Sequence, residues 1–446
     1  MNLTGQALTP GRQRSWWLRE ALAAEPVVAC PALEKDVNAD VVIVGGGFTG
    51  LWTAYFLSET RPNLGIVVLE QDICGGGPSG RNGGFASGWW DELDSLIALY
   101  GAEPAARACR AISRSIDSIG EFCAAKNVEA WYRKAGYLYA ATAKPHLAVR
   151  DQMVRLAQEV GAQDELRPLT GDEARAKCDS RVLLERGVTI YEGTRVRRLI
   201  PRQPAAVITP RGIVRAPHAV IAINAWAMEW PELRRRLVAW SSYIVLTAPA
   251  PDRLEAIHWT AGELVSDLRT SVRYFRTTPD GRIAFGGGGG RAGTSTGDVF
   301  TRDARAVVQA AEGFRRLFPS FAGVPIVDAW GGPIDVSATH LPVFGSLQPN
   351  VHYALGYTGN GVAPSHLAGR VLAHLVTGAD SDEVRLPMVN ARPREFPPQP
   401  WRALGAAVIR RAIIAKDTAE EQGRTPKPLA TAIARLPRRL GYLLGP

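Results

Sequence analysis

Three glycines and one carboxylate offer the clearest chemistry in this sequence. Gly45, Gly47 and Gly50 form a G-x-G-x-x-G run inside "ADVVIVGGGFTGLWTAYFLSE", and Glu70 follows Gly50 by twenty residues. Each has a physical task in holding a dinucleotide. Gly45 suits a tight turn, Gly47 leaves room for a pyrophosphate, and Gly50 lets a helix lie close to the preceding strand. Phe48 and Thr49 would open that helix, whose free N–H groups and positive end favour phosphate. Glu70 accepts hydrogen bonds from ribose hydroxyls and would repel a 2′-phosphate. The supporting elements are legible around these residues. Val41 to Val44 reads as a strand buried on both faces, "LWTAYFLSE" has helical spacing, and Ile66 to Leu69 reads as the next buried strand. A lone G-x-G-x-x-G is weak evidence, but strand, glycines, helix, strand and acid in this order point to a bound dinucleotide rather than a bare turn.

The stretch "DICGGGPSGRNGGF", Asp72 to Phe85, places six glycines and one arginine in fourteen residues. Its S-G-R-N-G-G core resembles the flavin-side loop of the FAD-dependent amine and amino-acid oxidoreductases of the D-amino-acid oxidase superfamily, and most of all their gamma-glutamylputrescine oxidase-like branch. "HAVIAINAWA" (218–227), "WGGPIDVSATHLPVFG" (330–345) and "NVHYALGYTGNGVAPSHLAGRVLAHLVTG" (350–378) extend the resemblance, which covers residues 40–378. It implies non-covalent FAD held by Gly45, Gly47, Phe48, Thr49, Gly50 and Glu70, by Ser79, Arg81, Asn82, Gly83 and Gly84, and by Gly356, Thr358, Gly359, Asn360, Gly361 and Val362. The last group would bring a helix N-terminus to the flavin, where its dipole offsets the charge that accumulates on reduction. Some relatives attach flavin to a cysteine near the "WGG" segment, and no cysteine follows Cys178 here.

The fold that follows is α/β, with a discontinuous FAD-binding Rossmann-type domain, a mixed-sheet substrate domain and a helical C-terminal tail. The expected division is an N-terminal extension over 1–36, FAD-binding segments over 37–95, 181–232 and 326–385, substrate segments over 96–180 and 233–325, and a tail over 386–446. "AWYRKAGYLYAAT", "SSYIVLTAPA" and "SVRYFRTTPDGRIAFGGGGG" read as substrate-sheet strands, the last a hairpin turning at Pro279-Asp280-Gly281. "AKPHLAVRDQMVRLAQEVG" and "DARAVVQAAEGFRRLFP" read as helices around that sheet. The implied reaction is oxidation of an amine to an imine by hydride transfer to the flavin, with oxygen as the default acceptor. Such a reaction needs orientation and exclusion of water more than acid–base residues. Trp89, Trp90, Tyr243 and Tyr274 are the aromatic candidates for the pocket, each equally open to a place in the core. Amino-acid oxidases of the superfamily often carry a carboxylate-gripping arginine where this chain has Ile334 and Asp335. Asp335 therefore stands as a cation-facing group, with a structural turn-capping role as the alternative. His340 reads as a turn residue rather than a base.

One departure bears on activity. Relatives have a strand, a loop and a helix start between segments resembling "TGDEARAKCDS" and "LLERGVTIYEGTRVRRL", and here Ser180 runs straight into "RVLLERGVTIYEGT". A flavin-binding but inactive protein is the corresponding alternative.

Composition narrows the rest. With 46% hydrophobic and 21% charged residues the chain has ordinary globular composition, and it contains no apolar run of membrane-spanning length. Five scattered cysteines, without metal-ligand spacing, read as reduced thiols of a cytoplasmic protein, and no metal site is expected. The formal charge is +9, but nine Lys and Arg against three Asp and Glu lie from Trp401 onward. The body is near neutral, which argues against a nucleic-acid groove. "RSWWLREALAA" reads as a short packing helix. "PREFPPQP" reads as a linker before the helical "WRALGAAVIRRAIIAKDTAEEQG" and the basic "PLATAIARLPRRLGYLL". The tail is either docked on the body or a weak peripheral membrane contact through which electrons pass to quinone.

Overall fold

The computed structural model describes residues 14–24, 30–134, 136–140, 144–166, 188–260, 262–287, 292–293, 301, 303–392 and 394–442. The junction after Ser180 lies outside them, as do Cys178 and the latter part of the Gly286–Gly290 run.

Three sheets organise the chain. The first has six strands in the order Val343–Gln348, Val351–Leu355, His218–Ile221, Val41–Val44, Ile66–Leu69 and Thr189–Tyr191. All its pairings are parallel except the hairpin at one edge. Val41–Val44 and Ile66–Leu69 are buried throughout, and alternation sends their side chains into two cores. Val41, Ile43, Ile66 and Val68 meet Leu57, Leu367 and Leu372 on the helical side. Val42, Val44, Val67 and Leu69 meet Val207 and Val214 on the other. Full burial of each such aliphatic side chain contributes roughly 1.5–3 kcal/mol. A four-stranded sheet, Val37–Asn38, Ile213–Ala216, Ala205–Ile208 and Arg198–Ile200, covers that second face.

Helices Phe48–Thr60 and Val362–Thr377 lie together on the helical face. Their closest approach is at Gly369, where an added Cβ would stand 2.5 Å from Cβ of Trp52. The second helix ends at Gly378, a left-handed residue (φ +67°) whose N–H bonds back to the His374 carbonyl. Helix Ala102–Ala125 packs here too, through Ala105, Ala108, Cys109 and Ile112. Small side chains at helical spacing let it sit against these two helices, although its residues were expected in the substrate domain.

The third sheet has seven strands: Ala292–Gly293, Leu237–Thr247, Ile283–Gly287, Arg273–Thr277, Leu264–Asp267 and Tyr137–Ala140, with Ile326–Ser337 pairing along Leu237–Thr247. The expected hairpin is present, with Gly281 at φ +80° and its N–H bonded to the Thr278 carbonyl at 3.0 Å. Of the first expected strand, Tyr137–Ala140 forms among the described residues. Both expected helices form, as Lys144–Glu159 and Ala304–Leu317. The second is capped by Asp303 and lays Val307, Ala311 and Phe314 on Val245, Phe285 and Ile326. Ile326–Ser337 was placed with the FAD segments. By pairing it is a strand of the substrate sheet, because its long ladder with Leu237–Thr247 outweighs its sequence proximity to the later flavin-side strands.

The tail forms helices Trp401–Glu421 and Pro428–Arg439, which pack on each other, and Gly423 (φ +66°) ends the first. That helix docks on the substrate sheet. Glu421 accepts hydrogen bonds from Arg269 at 2.8 Å and from both Arg273 nitrogens at 2.6 and 2.9 Å. Asp417 accepts one from the Ser271 N–H at 2.7 Å, and Ala412 and Ile413 are buried. At the other end of the chain, helix Trp16–Ala24 rests on Trp330 through Trp17 and pairs Arg19 with Asp328.

Partial burial works against the Glu421 charge, but Arg273, Arg269 and Arg316 outweigh it and depress the carboxyl to about 2. A depressed carboxyl contributes stability that is present above its unfolded value and lost as pH falls through the folded one. Glu421→Gln is therefore expected to lower the melting temperature by a few degrees at pH 7. The gap from the parent protein should narrow between pH 4.5 and about 2, as followed by thermal unfolding across that range.

Candidate active site

A cavity of about 450 Å³ runs between the cofactor sheet and the substrate sheet. One end is built by the turn after Val41–Val44. Gly45 has φ +108°, and a Cβ there would lie 2.3 Å from the Ala222 carbonyl oxygen. A Cβ on Gly50 would lie 2.0 Å from the Gly45 oxygen, so Gly50 serves packing and does not line the cavity. Gly47, Phe48 and Thr49 do line it. Glu70 accepts from the Gly46 N–H at 2.8 Å and the Asp72 N–H at 3.0 Å, which holds its carboxylate at the cavity wall. Burial raises its pKa, with those N–H bonds acting against the rise.

The glycine-rich loop follows. Ser79 Oγ accepts from the Phe48 N–H at 2.8 Å, tying the loop to the helix start. Arg81 lines the cavity, but its guanidinium donates to the carbonyls of Gly76 (3.0 Å) and Gly331 (3.2 Å). Asn82 donates to the Ser79 carbonyl at 2.5 Å and accepts from the Gly84 N–H at 2.7 Å. These two side chains shape the loop, and Gly83 completes its cavity face. Gly84 (φ +77°) is off the wall, its carbonyl bonded to Arg276. Trp17 of the N-terminal helix donates to the Asn82 carbonyl at 2.9 Å, so the extension braces the loop from behind.

The third segment is the turn before helix Val362–Thr377. Thr358, Gly359, Asn360, Gly361 and Val362 line the cavity, whereas Gly356 (φ +82°) lies behind them. Thr358 adopts φ +51°, an unfavourable conformation for a β-branched residue. Three bonds hold it there: its hydroxyl donates to the Gly356 carbonyl (3.0 Å) and accepts from the Ser337 N–H (3.2 Å), and its N–H donates to the Asp335 carbonyl (3.1 Å).

Asp335 resolves toward the structural alternative. It is fully buried. Its Oδ2 accepts from the Gly356 N–H at 2.6 Å, and its Oδ1 from the Tyr357 N–H at 3.2 Å and the Asn224 amide at 2.7 Å. Burial pushes its pKa up to about 7 despite those donors. It borders the cavity, yet both oxygens are engaged in holding turns, so the missing arginine is not replaced by a free acid at this position.

Of the aromatic candidates, Trp89 and Tyr274 line the cavity. Tyr243 does not. It sits in the substrate-sheet core, its hydroxyl accepting from the Asp303 N–H at 2.7 Å. Trp90 points instead to Ser113 and Glu165, at 3.1 and 3.2 Å. His340 is a turn residue at φ +62°, and it also reaches the cavity with Nδ1 2.7 Å from Glu92 Oε1. Burial lowers its affinity for a proton, but Glu92 and Asp91 reverse the balance and its pKa is raised.

Several wall residues had no sequence-level assignment. Tyr137 and Tyr139 come from one strand, where alternation puts both hydroxyls on the same side, and a Y-x-Y pattern could have flagged them. Asp91 and Glu92 follow the two tryptophans directly. Burial, then the Glu92 charge, pushes Asp91 up to about 7. Ile413 arrives from the tail helix, so the tail closes part of the wall.

The donor set fits an anionic dinucleotide bearing a ring system. Helices Phe48–Thr60 and Val362–Thr377 both start at the cavity; the Phe48 N–H is taken by Ser79 Oγ, and the N–H groups that follow it, with those opening Val362–Thr377, suit anionic oxygens. Asn360 donates to the Gly88 carbonyl at 2.8 Å and keeps Oδ1 buried without a partner, an acceptor suited to a ligand N–H. Among the described residues no group of His, Cys, Asp and Glu could hold a metal ion.

Comparison with known proteins agrees with this geometry. The family model described as "FAD dependent oxidoreductase" matches residues 40–183 and 180–375, two stretches that meet near Ser180. The gamma-glutamylputrescine oxidoreductase of Escherichia coli (strain K12) is 28% identical over 384 residues, 80% of this chain and 88% of that protein. Sarcosine oxidase subunit beta of Arthrobacter sp is 24% identical over 388 residues, 79% of this chain and 91% of that one. Among solved structures, glycine oxidase from Geobacillus kaustophilus superposes with a TM-score of 0.58 at 20% identity, over 80% of this chain and 99% of its own. Iminodiacetate oxidase from Chelativorans sp. BNC1 gives 0.59 at 17%, over 78% and 99%. FAD is thus the cofactor and amine or amino-acid oxidation the class of reaction, and this chain belongs to the FAD-dependent oxidoreductase (DAO) family.

Proposed function

We propose that this chain is a cytoplasmic amine oxidase that binds FAD non-covalently and converts a primary or secondary amine, polyamine-like in character, to an imine, with oxygen as acceptor. One observation carries the reading: a single cavity joins the dinucleotide fingerprint to an end lined by Tyr137, Tyr139, Tyr274 and two acids. The name of the gamma-glutamylputrescine oxidoreductase supports an amine in that end. Bound FAD supplies the two-electron acceptor.

The protein's part is orientation and enclosure. Glu70 suits the ribose, Gly47 and the Phe48–Thr60 helix start suit the pyrophosphate, and the Gly359–Val362 turn suits the carbonyl edge of the flavin ring. Asn360 Oδ1 would accept from a ring N–H. Trp89, Tyr137 and Tyr274 would hold the amine's alpha C–H toward the ring and exclude water, and the imine then hydrolyses in solvent.

A second reading, a dehydrogenase that docks on a membrane and passes electrons to quinone, rests on the tail surface. Trp401, Leu404 and Val408 are exposed at helical spacing on one helix, and Leu429, Leu436 and Leu440 on and just beyond the next, among basic residues. No described helix is long and apolar enough to cross a membrane. The non-catalytic alternative concerns residues outside those described.

The deciding measurement is the visible spectrum of the purified protein before and after anaerobic addition of amines. Bleaching of a flavin spectrum, followed by peroxide release on admitting air, is expected. A flavin that no amine bleaches would overturn the proposal. Quinone-dependent turnover with an inert oxygen reaction, together with sedimentation on anionic vesicles that is lost without residues 401–446, would favour the second reading. A Cβ on Gly47 would stand 2.8 Å from Ser79 Oγ, in the bond that fixes the loop. Gly47→Val is expected to weaken FAD binding by about tenfold or more, read by fluorescence titration of the apoprotein, with circular dichroism unchanged.

A further inference from the structure

The acids at the substrate end are arranged in a way that amine oxidation in general does not require. Glu92 is 6% exposed. Its Oε1 meets His340 at 2.7 Å, while Oε2 has no hydrogen-bond partner. Asp91 beside it also keeps one oxygen, Oδ1, buried and unpartnered. Leaving a buried charged acceptor unmade is costly, and such groups in native proteins point to a missing donor. Tyr139 lines the wall with Asp91, and burial together with the Asp91 charge holds its hydroxyl protonated well above the usual phenol range.

Of the arginines in the cavity wall, Arg269 is paired with Glu421 and Arg195 with Glu229 at 2.8 Å, and Arg81 is turned to the Gly76 and Gly331 carbonyls. His340 offsets one of the two acids at most. The wall thus presents acceptors and negative charge, the complement of a group with several N–H donors and a positive charge.

We propose that Asp91, Glu92 and Tyr139 form a subsite for the second, non-reacting ammonium of a diamine-type substrate, and so select a dication over a monoamine of equal length. This rests on the amine reading above and deepens it. The reacting nitrogen is held elsewhere in the cavity, and the subsite raises affinity without entering the chemical step. Removing one charged partner of such a contact typically weakens binding by about tenfold or more.

The test uses the FAD-loaded protein at pH 8 and measures binding by calorimetry under anaerobic conditions. The probes are putrescine and n-butylamine, alike in chain length and differing in one ammonium. The parent protein is expected to bind putrescine at least about tenfold more tightly, and Asp91→Asn to abolish most of that preference while butylamine affinity stays within about threefold. Tyr139→Phe, which keeps the ring, is expected to shift the preference in the same direction, and it stands in should Asp91→Asn fail to retain flavin. In flavin reduction the substitutions should move the half-saturating putrescine concentration and not the limiting rate. Equal affinity of the parent for the two amines, or a preference untouched by both substitutions, overturns the subsite. Putrescine bound with the expected preference but without flavin reduction would leave the subsite standing and count against the oxidase reading alone.

Discussion

The two halves of this molecule meet at one buried carboxylate. Asp335 belongs to a strand of the substrate sheet, yet its oxygens reach the turns that end two strands of the cofactor sheet, at Asn224 and at Gly356–Tyr357. Desolvating a carboxylate is unfavourable, and the pKa of about 7 records that strain. It persists because three N–H donors converge on it, and without it those donors would be buried and unsatisfied. The positive φ values at Asn224 and Thr358 belong to the same arrangement. So does the start of helix Val362–Thr377, which inherits its aim at the cavity from the turn that Asp335 holds.

The cofactor half was legible because its requirements are local. A strand buried on both faces must be apolar throughout, a backbone approach must be glycine, and a helix start must follow within a few residues. Val41–Val44, Gly45–Gly50 and Ile66–Leu69 carry all of this in under thirty residues. The substrate half was less legible because its wall is assembled from distant pieces. Asp91 and Glu92 look like solvated helix-start acids until the fold places Tyr139 and His340 beside them. Tyr243 and Tyr274 both lie in strands, and only the sheet's packing decides that one faces the core and the other the cavity. Arg81 and Asn82 stood out for their chemistry, but their side chains bond mainly to loop and strand backbone.

The tail, open on its sequence to docking on the body or to an acidic membrane, docks through residues of both signs. Glu421 and Asp417 hold arginines and backbone of the substrate sheet, while Arg402 and Arg438 bond the Leu237 carbonyl and Asp94. The remaining surface is amphipathic, and the helix that carries part of it also contributes Ile413 to the cavity.

The strand order of the cofactor sheet has a consequence for how the chain is made. Its neighbouring strands Val41–Val44, His218–Ile221 and Val351–Leu355 leave the ribosome far apart in time. The Gly45–Gly50 segment is synthesised well before the turn that completes the opposite wall of the cavity. A nascent chain therefore carries the unsealed edges of Val41–Val44 and Ile66–Leu69 through most of translation, a period in which exposed parallel strands are prone to wrong pairing. A cavity that needs both walls is complete only once the Thr358–Val362 turn has been made.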